Sequence, residues 1–231
     1  DRELLGMMTD SIDDFLAPQH ADLKKWDKEA HQPAEFIQSL RDMGLFGLII
    51  PEEHGGLGLS NAGYARVLSQ TSRHDSSVSL TIGAHSSIGM KGILLSGNEE
   101  QKARYLPKLA SGEMIAAFCL TESGAGSDAA AIRTTAKKNP DGSWVLNGEK
   151  IWITNARRAD FIIVMARVGN DARQGGITSF IVEKGTPGFI IEREIPMLGG
   201  ESTFEIVFED CRIPKDSVLG EVGKGYAPMQ L

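Results

Sequence analysis

The hydrophobic pattern of the chain changes near Glu113, from the three-to-four residue spacing of helices to the short alternating runs of β-strands. Apolar residues from Leu4 to Leu16 follow the helical spacing and form one stripe with acidic residues opposite. Beyond Glu113, short apolar runs are separated by turn signals such as PDG, NG and TPG. The sequence therefore predicts an α+β fold with a helical first part and a sheet in the second.

The first part is expected to contain several helices. One carries the apolar residues of 36–43, with Pro33 in its first turn and Gly44 as its terminator. The run GLIIPEEHGGLGLS that follows is expected to form a loop, because it is rich in Gly and Pro. Further helices are predicted over 62–72, from about Val78 to Leu95, and to about Ala110 from Asn98, where Gln101 completes a capping box.

Small residues are frequent in the helix predicted from Val78 to Leu95. They are Gly83, Ala84, Ser86, Ser87, Gly89 and Gly92. Such residues permit close packing of a neighbouring element, and they can also leave space for a ligand. His85, in the same helix, is expected to be packed or hydrogen bonded rather than catalytic.

The second part contains seven strand-like runs. They are MIAAFCL, IRTTAKK, WVLNGEKIWIT, FIIVMARV, ITSFIVE, GFIIERE and TFEIVFEDCRI. Asp141 and Gly142 mark a hairpin between two of them. Short strands at this spacing predict a small, closed or nearly closed antiparallel sheet, that is, a β-barrel.

Composition limits the function. The formal net charge of −7 argues against a broad nucleic-acid surface, which needs clustered Lys and Arg. No apolar run reaches the roughly 18 residues of a membrane helix. Cys119 and Cys211 lie far apart without metal-ligand spacing and are interpreted as buried thiols. The five histidines form no spaced metal or triad set, so no metal site is predicted.

The segment Phe118–Asp128, FCLTESGAGSD, is a strand end that runs into a loop rich in Gly, Ser and Thr. Gly124 and Gly126 leave backbone N–H groups and hydroxyls free to approach phosphate or carbonyl oxygens. The segment lacks the Lys-Ser/Thr ending of a P-loop. A plain surface turn is the alternative interpretation.

The segment KIWITN follows about two dozen residues later. Trp152 and Thr154 alternate with Ile151 and Ile153 on a predicted strand, so they should point to one face and offer a flat indole beside a hydroxyl. That arrangement would suit an isoalloxazine ring. The alternative is that Trp152 fills the core of the barrel.

Taken in order, FCLTESGAGSD, NGEKIWITN, TSFIVEKGTPGF and FEIVFEDCRIP resemble the acyl-CoA dehydrogenase family along nearly the whole chain. In the helical part, LFGLIIPEEHGGLGLS and GNEEQKARYLPKLASGEMIAAFCLTE are most similar to the very-long-chain type. The resemblance implies an all-helical N-terminal domain over 1–114 and a middle β-barrel domain over 115–231. We expect the C-terminal helical bundle of the family to be absent from this chain.

The resemblance also implies an FAD site. Its expected residues are Phe118, Cys119, Leu120, Thr121, Glu122, Gly126, Ser127, Trp152, Ile153 and Thr154, with Ser127 also touching the thioester substrate. Trp152 is expected beside the ring, Thr154 near N5, and the Thr121 hydroxyl at the pyrimidine side. Glu122 is assigned no base role, because a carboxylate inside this loop is more simply an acceptor for backbone N–H groups.

The implied reaction is FAD-dependent α,β-dehydrogenation of an acyl-CoA to the trans-2-enoyl-CoA. The family's base is a carboxylate of the C-terminal domain or its edge, so no catalytic residue is expected here and the chain alone should be inactive. The expected partners are acyl-CoA, an electron-transferring flavoprotein and further copies of the chain in a homodimer or homotetramer. The expected compartment is the bacterial cytoplasm, or the mitochondrial matrix in a eukaryote.

Other functions stay open at this point. One is an acyl-CoA oxidase or flavin monooxygenase of the same architecture. Another is a non-enzymatic remnant that binds CoA esters or a partner protein. Ser123, Arg157, Arg158 and Val168 depart from residues common in the family, which makes substrate contacts harder to assign than FAD contacts.

Overall fold

A computed structural model of the protein describes residues 2–169, 176–197 and 201–226, in which helices precede strands as predicted. The helices are α1 (Arg2–Leu16), α2 (His20–Glu29), α3 (Ala34–Asp42), α4 (Asn61–Ser72), α5 (Ser76–Gly83), α6 (Lys91–Ser96) and α7 (Glu99–Ala110), with a π-helical segment, Ala84–Met90, between α5 and α6. The helix predicted from Val78 to Leu95 therefore exists as one run over 76–96 with a π-helical centre. None of the helices described is long and apolar enough to cross a bilayer.

Helix ends follow local sequence signals, with one correction. The capping box of Asn98 and Gln101 is confirmed at the start of α7, with hydrogen bonds in both directions. Gly44 ends α3 with a φ of +72°, a conformation that glycine adopts readily. Pro33, predicted inside the first turn, instead precedes it as the extended N-cap residue, which leaves Ala34 as the first helical residue.

Helix α2 was not predicted. Its sequence is strongly polar and Leu23 is its one fully buried residue, so the apolar pattern is too sparse to indicate a helix. Trp26 nevertheless packs against Phe36 of α3, with ring centroids 4.9 Å apart. Contacts with α3 therefore stabilise α2, although its own apolar pattern does not indicate a helix.

All seven strand-like runs form strands. They are β1 (Ala116–Cys119), β2 (Thr135–Lys138), β3 (Trp144–Thr154), β4 (Phe161–Val168), β5 (Ile177–Glu183), β6 (Phe189–Pro196) and β7 (Ser202–Ile213), followed by a short β8 (Val218–Leu219). The predicted hairpin at Asp141 and Gly142 joins β2 to β3 in antiparallel pairing.

The sheet is mainly, but not wholly, antiparallel. Its strands follow the order β6-β7-β3-β2-β4-β5-β8, and β1 pairs with β4 outside this path. Both β1 and β2 run parallel to β4, which corrects the expectation of an entirely antiparallel barrel. They share one edge of β4, since β1 pairs with 161–164 and β2 with 167–168. The chain between β1 and β2 therefore leaves the sheet and forms the loop that contains GAGSD.

Strand β4 belongs to two cores. Ile162 and Val164 point into the interior of the sheet domain, whereas Phe161 and Ile163 pack against a cluster that includes Leu106 of α7. A strand buried on both faces reads as a continuous apolar run, which explains FIIVMA. The helical half and the sheet half thus share apolar packing across β1 and β4.

The small residues of 76–96 have different surroundings. A Cβ at Gly89 would lie 2.6 Å from the carbonyl oxygen of Ala116, so close packing against β1 is confirmed there. At Gly83 the nearest atoms are side-chain atoms of Leu68 and Tyr64 at 3.6 Å. His85 is fully buried, with Nε2 3.2 Å from the Leu109 carbonyl oxygen. The expectation that His85 is packed and hydrogen bonded is confirmed.

Candidate functional site

The loop after β1 begins with a tight turn. Glu122 and Ala125 exchange backbone hydrogen bonds of 3.0 and 3.1 Å, which places Ser123 and Gly124 at an exposed tip. Gly126, like Gly124, has no atom within 4 Å of an added Cβ and no positive φ. Internal packing therefore does not require glycine at these two positions, and the space in front of them is open.

Glu122 connects the two ends of this loop. Its buried carboxylate accepts the backbone N–H groups of Arg133 at 2.5 Å and Thr134 at 2.9 Å. Its Oε1 also lies 2.9 Å from Nζ of Lys150. Burial alone would raise the pKa of Glu122, but hydrogen bonds from Lys150 and Thr134 outweigh burial and hold it below the ordinary value. The predicted role as an acceptor of backbone N–H groups is confirmed.

Strand β3 contains a bulge that reverses its alternation. Lys150 pairs with Ile206 and Ile153 with Phe204, so Ile151 and Trp152 together face a single residue of β7. Lys150 and Ile153, three positions apart, are consequently both buried. The bulge leaves the chain at Trp152 with a φ of +59° and turns its side chain outward.

Trp152 is 54% exposed, so the alternative in which it fills the core is wrong. That place belongs to Trp144, which is 3% exposed and packs edge-on against Phe180. Thr154, two positions after Trp152, is partly exposed. Without the position of the bulge, the sequence does not indicate which of the two tryptophans is buried and which is exposed.

The loop and the strand meet directly. The backbone N–H of Ile151 donates to the Thr121 carbonyl at 2.9 Å, and Lys150 Nζ donates to the Leu120 carbonyl at the same distance. Thr121 is half-buried and Trp152 is exposed. The two segments singled out in the sequence therefore lie side by side in the fold.

The other predicted site residues differ in burial. Cys119 and Ile153 point into the core of the sheet domain, and burial raises the pKa of the Cys119 thiol to about 12. Phe118 and Leu120 are partly buried and pack beneath the loop. Ser127 is exposed. The interpretation of Cys119 and Cys211 as buried free thiols is confirmed.

Asn155 is a residue that the sequence analysis did not single out. It has a φ of +64°, and its Nδ2 donates to the Thr81 carbonyl of α5 at 3.1 Å. This bond fixes the end of β3 against the helical half, directly after Thr154. Asparagine tolerates the left-handed region, so an Asn that ends a strand is the available sequence signal.

Arg157 and Arg158, which depart from residues common in the family, each form an ion pair with a glutamate. Arg157 lies 2.7 Å from Glu194, and Arg158 lies 2.7 Å from the buried Glu201. Glu201 also accepts the Thr81 hydroxyl at 2.5 Å. Both arginines thus have partners in the fold.

These features define a two-domain α+β protein whose candidate site lies where the loop rich in hydroxyls and glycines meets the part of β3 that bears Trp152. Residues 2–113 match the profile of the acyl-CoA dehydrogenase N-terminal domain, and residues 117–211 match that of the middle domain. The chain belongs to the acyl-CoA dehydrogenase family.

Known relatives extend well beyond the matched region. The human mitochondrial very long-chain specific acyl-CoA dehydrogenase is 47% identical over 82% of this chain, which spans 30% of that protein. An acyl-CoA dehydrogenase of Bacillus subtilis is 40% identical over 95% of the chain and 59% of its own length. A solved acyl-CoA dehydrogenase of Bacillus anthracis complexed with FAD superposes with a TM-score of 0.86 at 38% identity, over 98% of this chain and 39% of the other.

Proposed function

We propose that this chain forms the FAD-binding and thioester-binding part of an acyl-CoA dehydrogenase. The observation that carries the proposal is the hydrogen bond from Ile151 N–H to the Thr121 carbonyl. This bond places the start of the hydroxyl-rich loop beside the strand that carries the exposed indole of Trp152. Family membership and the FAD complex of the Bacillus anthracis relative support the same assignment.

The residues present fit a flavin. An isoalloxazine ring needs a flat apolar neighbour on one side and hydrogen-bonding groups along its pyrimidine edge. Trp152 supplies the first and the region of Thr121 the second. The open space before Gly124 and Gly126 lets a ligand approach the backbone closely, which explains two glycines that internal packing does not require.

The residue roles follow from the resemblance. Thr121 and the neighbouring backbone bind the pyrimidine side, Trp152 lies beside the ring, and Thr154 lies near N5. Ser127 touches both the cofactor and the thioester ligand. Cys119 and Ile153 contribute backbone groups, because their side chains face the core.

Dehydrogenation removes a proton α to the thioester carbonyl and a hydride from the β carbon. FAD supplies the hydride acceptor when bound. The proposed part of this chain is to bind and orient cofactor and substrate, and the reaction also needs hydrogen-bond donors to the thioester oxygen. Glu122 is not the base, because its carboxylate is held by Lys150 and two backbone N–H groups. By the resemblance, the proposed base is a carboxylate of the family's C-terminal domain or its edge, so the residues of this chain alone are proposed to be inactive.

The whole protein is proposed to act on acyl-CoA thioesters, with long acyl chains favoured by similarity to the very-long-chain enzymes. Its proposed electron acceptor is an electron-transferring flavoprotein, and its proposed assembly is a homodimer or homotetramer. The proposed domains are 1–114 and 115–231. The proposed compartment is the mitochondrial matrix or the bacterial cytoplasm, since one relative is named as mitochondrial and another comes from a bacterium.

The test is an absorbance spectrum of the purified chain after incubation with FAD and removal of free cofactor. A flavin spectrum that stays with the protein, and is weakened in a Trp152→Ala variant but not in a Lys137→Met variant at an exposed position of β2, supports the proposal. A colourless wild-type chain contradicts it for this chain. In the complete enzyme, slow reoxidation by air after reduction with acyl-CoA separates a dehydrogenase from an oxidase.

A further inference from the structure

Lys150 is a lysine in the core of the sheet domain with no exposed side-chain surface. Lysines are rarely buried fully, because an ammonium group loses its hydration there. The site compensates with two acceptors, the Leu120 carbonyl oxygen and Oε1 of Glu122, each 2.9 Å from Nζ. Such an arrangement calls for a reason other than filling the core.

Three bonds of one pattern tie the loop to β3. Nζ of Lys150 donates to the Leu120 carbonyl and to the Glu122 carboxylate. The backbone N–H of the next residue, Ile151, donates to the Thr121 carbonyl. The loop residues on either side of Thr121 are thus both held by a single ammonium group. Thr121 has little freedom to move relative to β3.

The same ion pair reaches the far end of the loop. Glu122 accepts the backbone N–H groups of Arg133 and Thr134, immediately before β2. The start of the loop at 120–122 and its end at 133–134 therefore meet on one carboxylate. The exposed stretch between them, which includes Ser127, is closed at its base by the Lys150–Glu122 pair.

The position of Lys150 on β3 also bears on Trp152. Lys150 is the last inward residue before the bulge, and Ile153 is the first inward residue after it. Two inward side chains three positions apart, at 150 and 153, require one extra residue in the strand between them. With that bulge, the indole of Trp152 faces solvent.

We propose that the Lys150–Glu122 ion pair is a positioning device that sets the distance and orientation of Thr121 relative to Trp152. This inference rests on the proposed flavin site, to which it adds Lys150, and it gives Glu122, one of the predicted FAD-site residues, a positioning role. Because its side chain has no exposed surface, Lys150 is proposed to act through Leu120 and Glu122 rather than by contact with cofactor or substrate. It holds the loop and the bulged strand in the one arrangement in which a planar ring fits between hydroxyl and indole.

A stabilising role alone does not account for the pair. Replacing a buried ion pair by uncharged side chains of similar volume is often neutral for stability, whereas removing one partner leaves a buried charge unpaired. Removing both charges together should therefore preserve the fold and release the loop. The double variant Lys150→Met/Glu122→Gln separates positioning from stability.

The first readout needs no flavin. Acrylamide quenching of Trp152 is obtained as the difference between each chain and the same chain with Trp152→Phe, which cancels Trp26 and Trp144. We expect quenching at Trp152 to change in the double variant while the urea midpoint stays near that of wild type. Lys137→Met, an exposed lysine to methionine change on β2, is the matched control and should leave both unchanged.

The second readout is the bound cofactor. We expect the dissociation constant for FAD to rise at least about tenfold in the double variant, because small displacements of positioning groups have large effects, and the visible band of the bound flavin to shift. Glu122→Asp keeps the charge opposite Lys150 but shortens the side chain, so it should show the same direction of change and covers a double variant that fails to fold.

Unchanged quenching at Trp152 together with unchanged FAD affinity and spectrum would overturn the inference. A wild-type chain that binds no FAD would count against the proposed function, while the quenching experiment would still decide whether the ion pair positions Trp152. Loss of FAD in proportion to loss of folded protein would show that the pair has only a structural role and would also overturn the inference.

Discussion

Nδ1 of His85 accepts the backbone N–H of Ala116 at 3.2 Å, which joins the π-helical segment to the first residue of β1. The other ring nitrogen lies 3.2 Å from the Leu109 carbonyl oxygen of α7. With one nitrogen accepting and the other donating, the imidazole is neutral and bridges three elements at the junction of the two halves. Phe46 packs edge-on against the ring and excludes water.

Acidification should destabilise the protein through His85. Burial lowers the pKa of His85 from 6.5 to about 4. The unfolded chain therefore binds this proton first, so stability falls as pH decreases from 6.5 to about 4 and levels off below. The shift corresponds to roughly 3 kcal/mol over that window. Urea unfolding between pH 7.5 and pH 4 measures it.

His85→Gln is the matched variant for this prediction. An amide can accept from Ala116 and donate to Leu109, but it does not titrate. The free energy of unfolding of wild type minus that of the variant should increase steadily as pH rises from about 4 to 6.5. A difference that is independent of pH would refute the assignment to His85.

Gly89 and Gly83 should respond differently to substitution by alanine. A Cβ at Gly89 would meet the carbonyl oxygen and carbon of Ala116 at 2.6 and 2.8 Å, and backbone atoms cannot swing aside. We expect Gly89→Ala to lower the free energy of unfolding by about 2 kcal/mol. Gly83→Ala meets side chains at 3.6 Å and should be neutral or stabilising, because alanine is the better helix former. Equal urea midpoints for the two variants would show that packing at β1 does not explain Gly89.

Trp152 should matter for flavin binding but not for folding. Because its indole is 54% exposed, Trp152→Ala should change the free energy of unfolding by less than about 0.5 kcal/mol. The FAD dissociation constant should rise about tenfold when the stacking surface is lost. Trp144→Ala, in the core, should cost about 3 kcal/mol or more. Urea unfolding and FAD titration of both variants test this, and a stability loss at Trp152 like that at Trp144 would contradict the outward orientation.

The sequence predicted elements that depend on local patterns and failed where distant contacts decide. The capping box at Asn98 and the turn at Gly142 are local, and both formed as expected. The polar helix α2 depends on Trp26 reaching Phe36, which no periodicity reveals. The parallel pairing of β1 and β2 with β4 depends on topology, because parallel strands carry no turn signal between them.

The candidate site shows the same division. Residue types at Thr121 and Trp152 were visible in the sequence, but their contact depends on the Ile151 hydrogen bond and on a bulge that alternation does not predict. The sequence does not distinguish Lys150 from an ordinary residue of β3. Its burial became evident only when the loop carbonyl of Leu120 and the carboxylate of Glu122 were placed around it.

Arg158 and Arg157 offer a comparison between adjacent residues with different environments. Arg158 binds Glu201, whose side chain is 5% exposed and which also accepts the Thr81 hydroxyl of the helical half. Arg157 binds Glu194 on the surface with 61% of its own side chain exposed. Arg158→Met should lower the free energy of unfolding by about 2 kcal/mol, because it leaves a buried carboxylate without its cation. Arg157→Met should cost less than about 1 kcal/mol, since exposed ion pairs contribute little.

Salt dependence is a second test of the two variants Arg157→Met and Arg158→Met. Exposed charges are screened by salt and partly buried ones much less, so the small effect of Arg157→Met should vanish at 1 M NaCl, where the Debye length is about 3 Å. The larger effect of Arg158→Met should persist there. Urea unfolding at low and high salt measures both. If Arg158→Met became neutral at high salt, the Arg158–Glu201 contact would behave as a surface ion pair. It would then not be a polar link between the segment after β3 and Thr81 of α5.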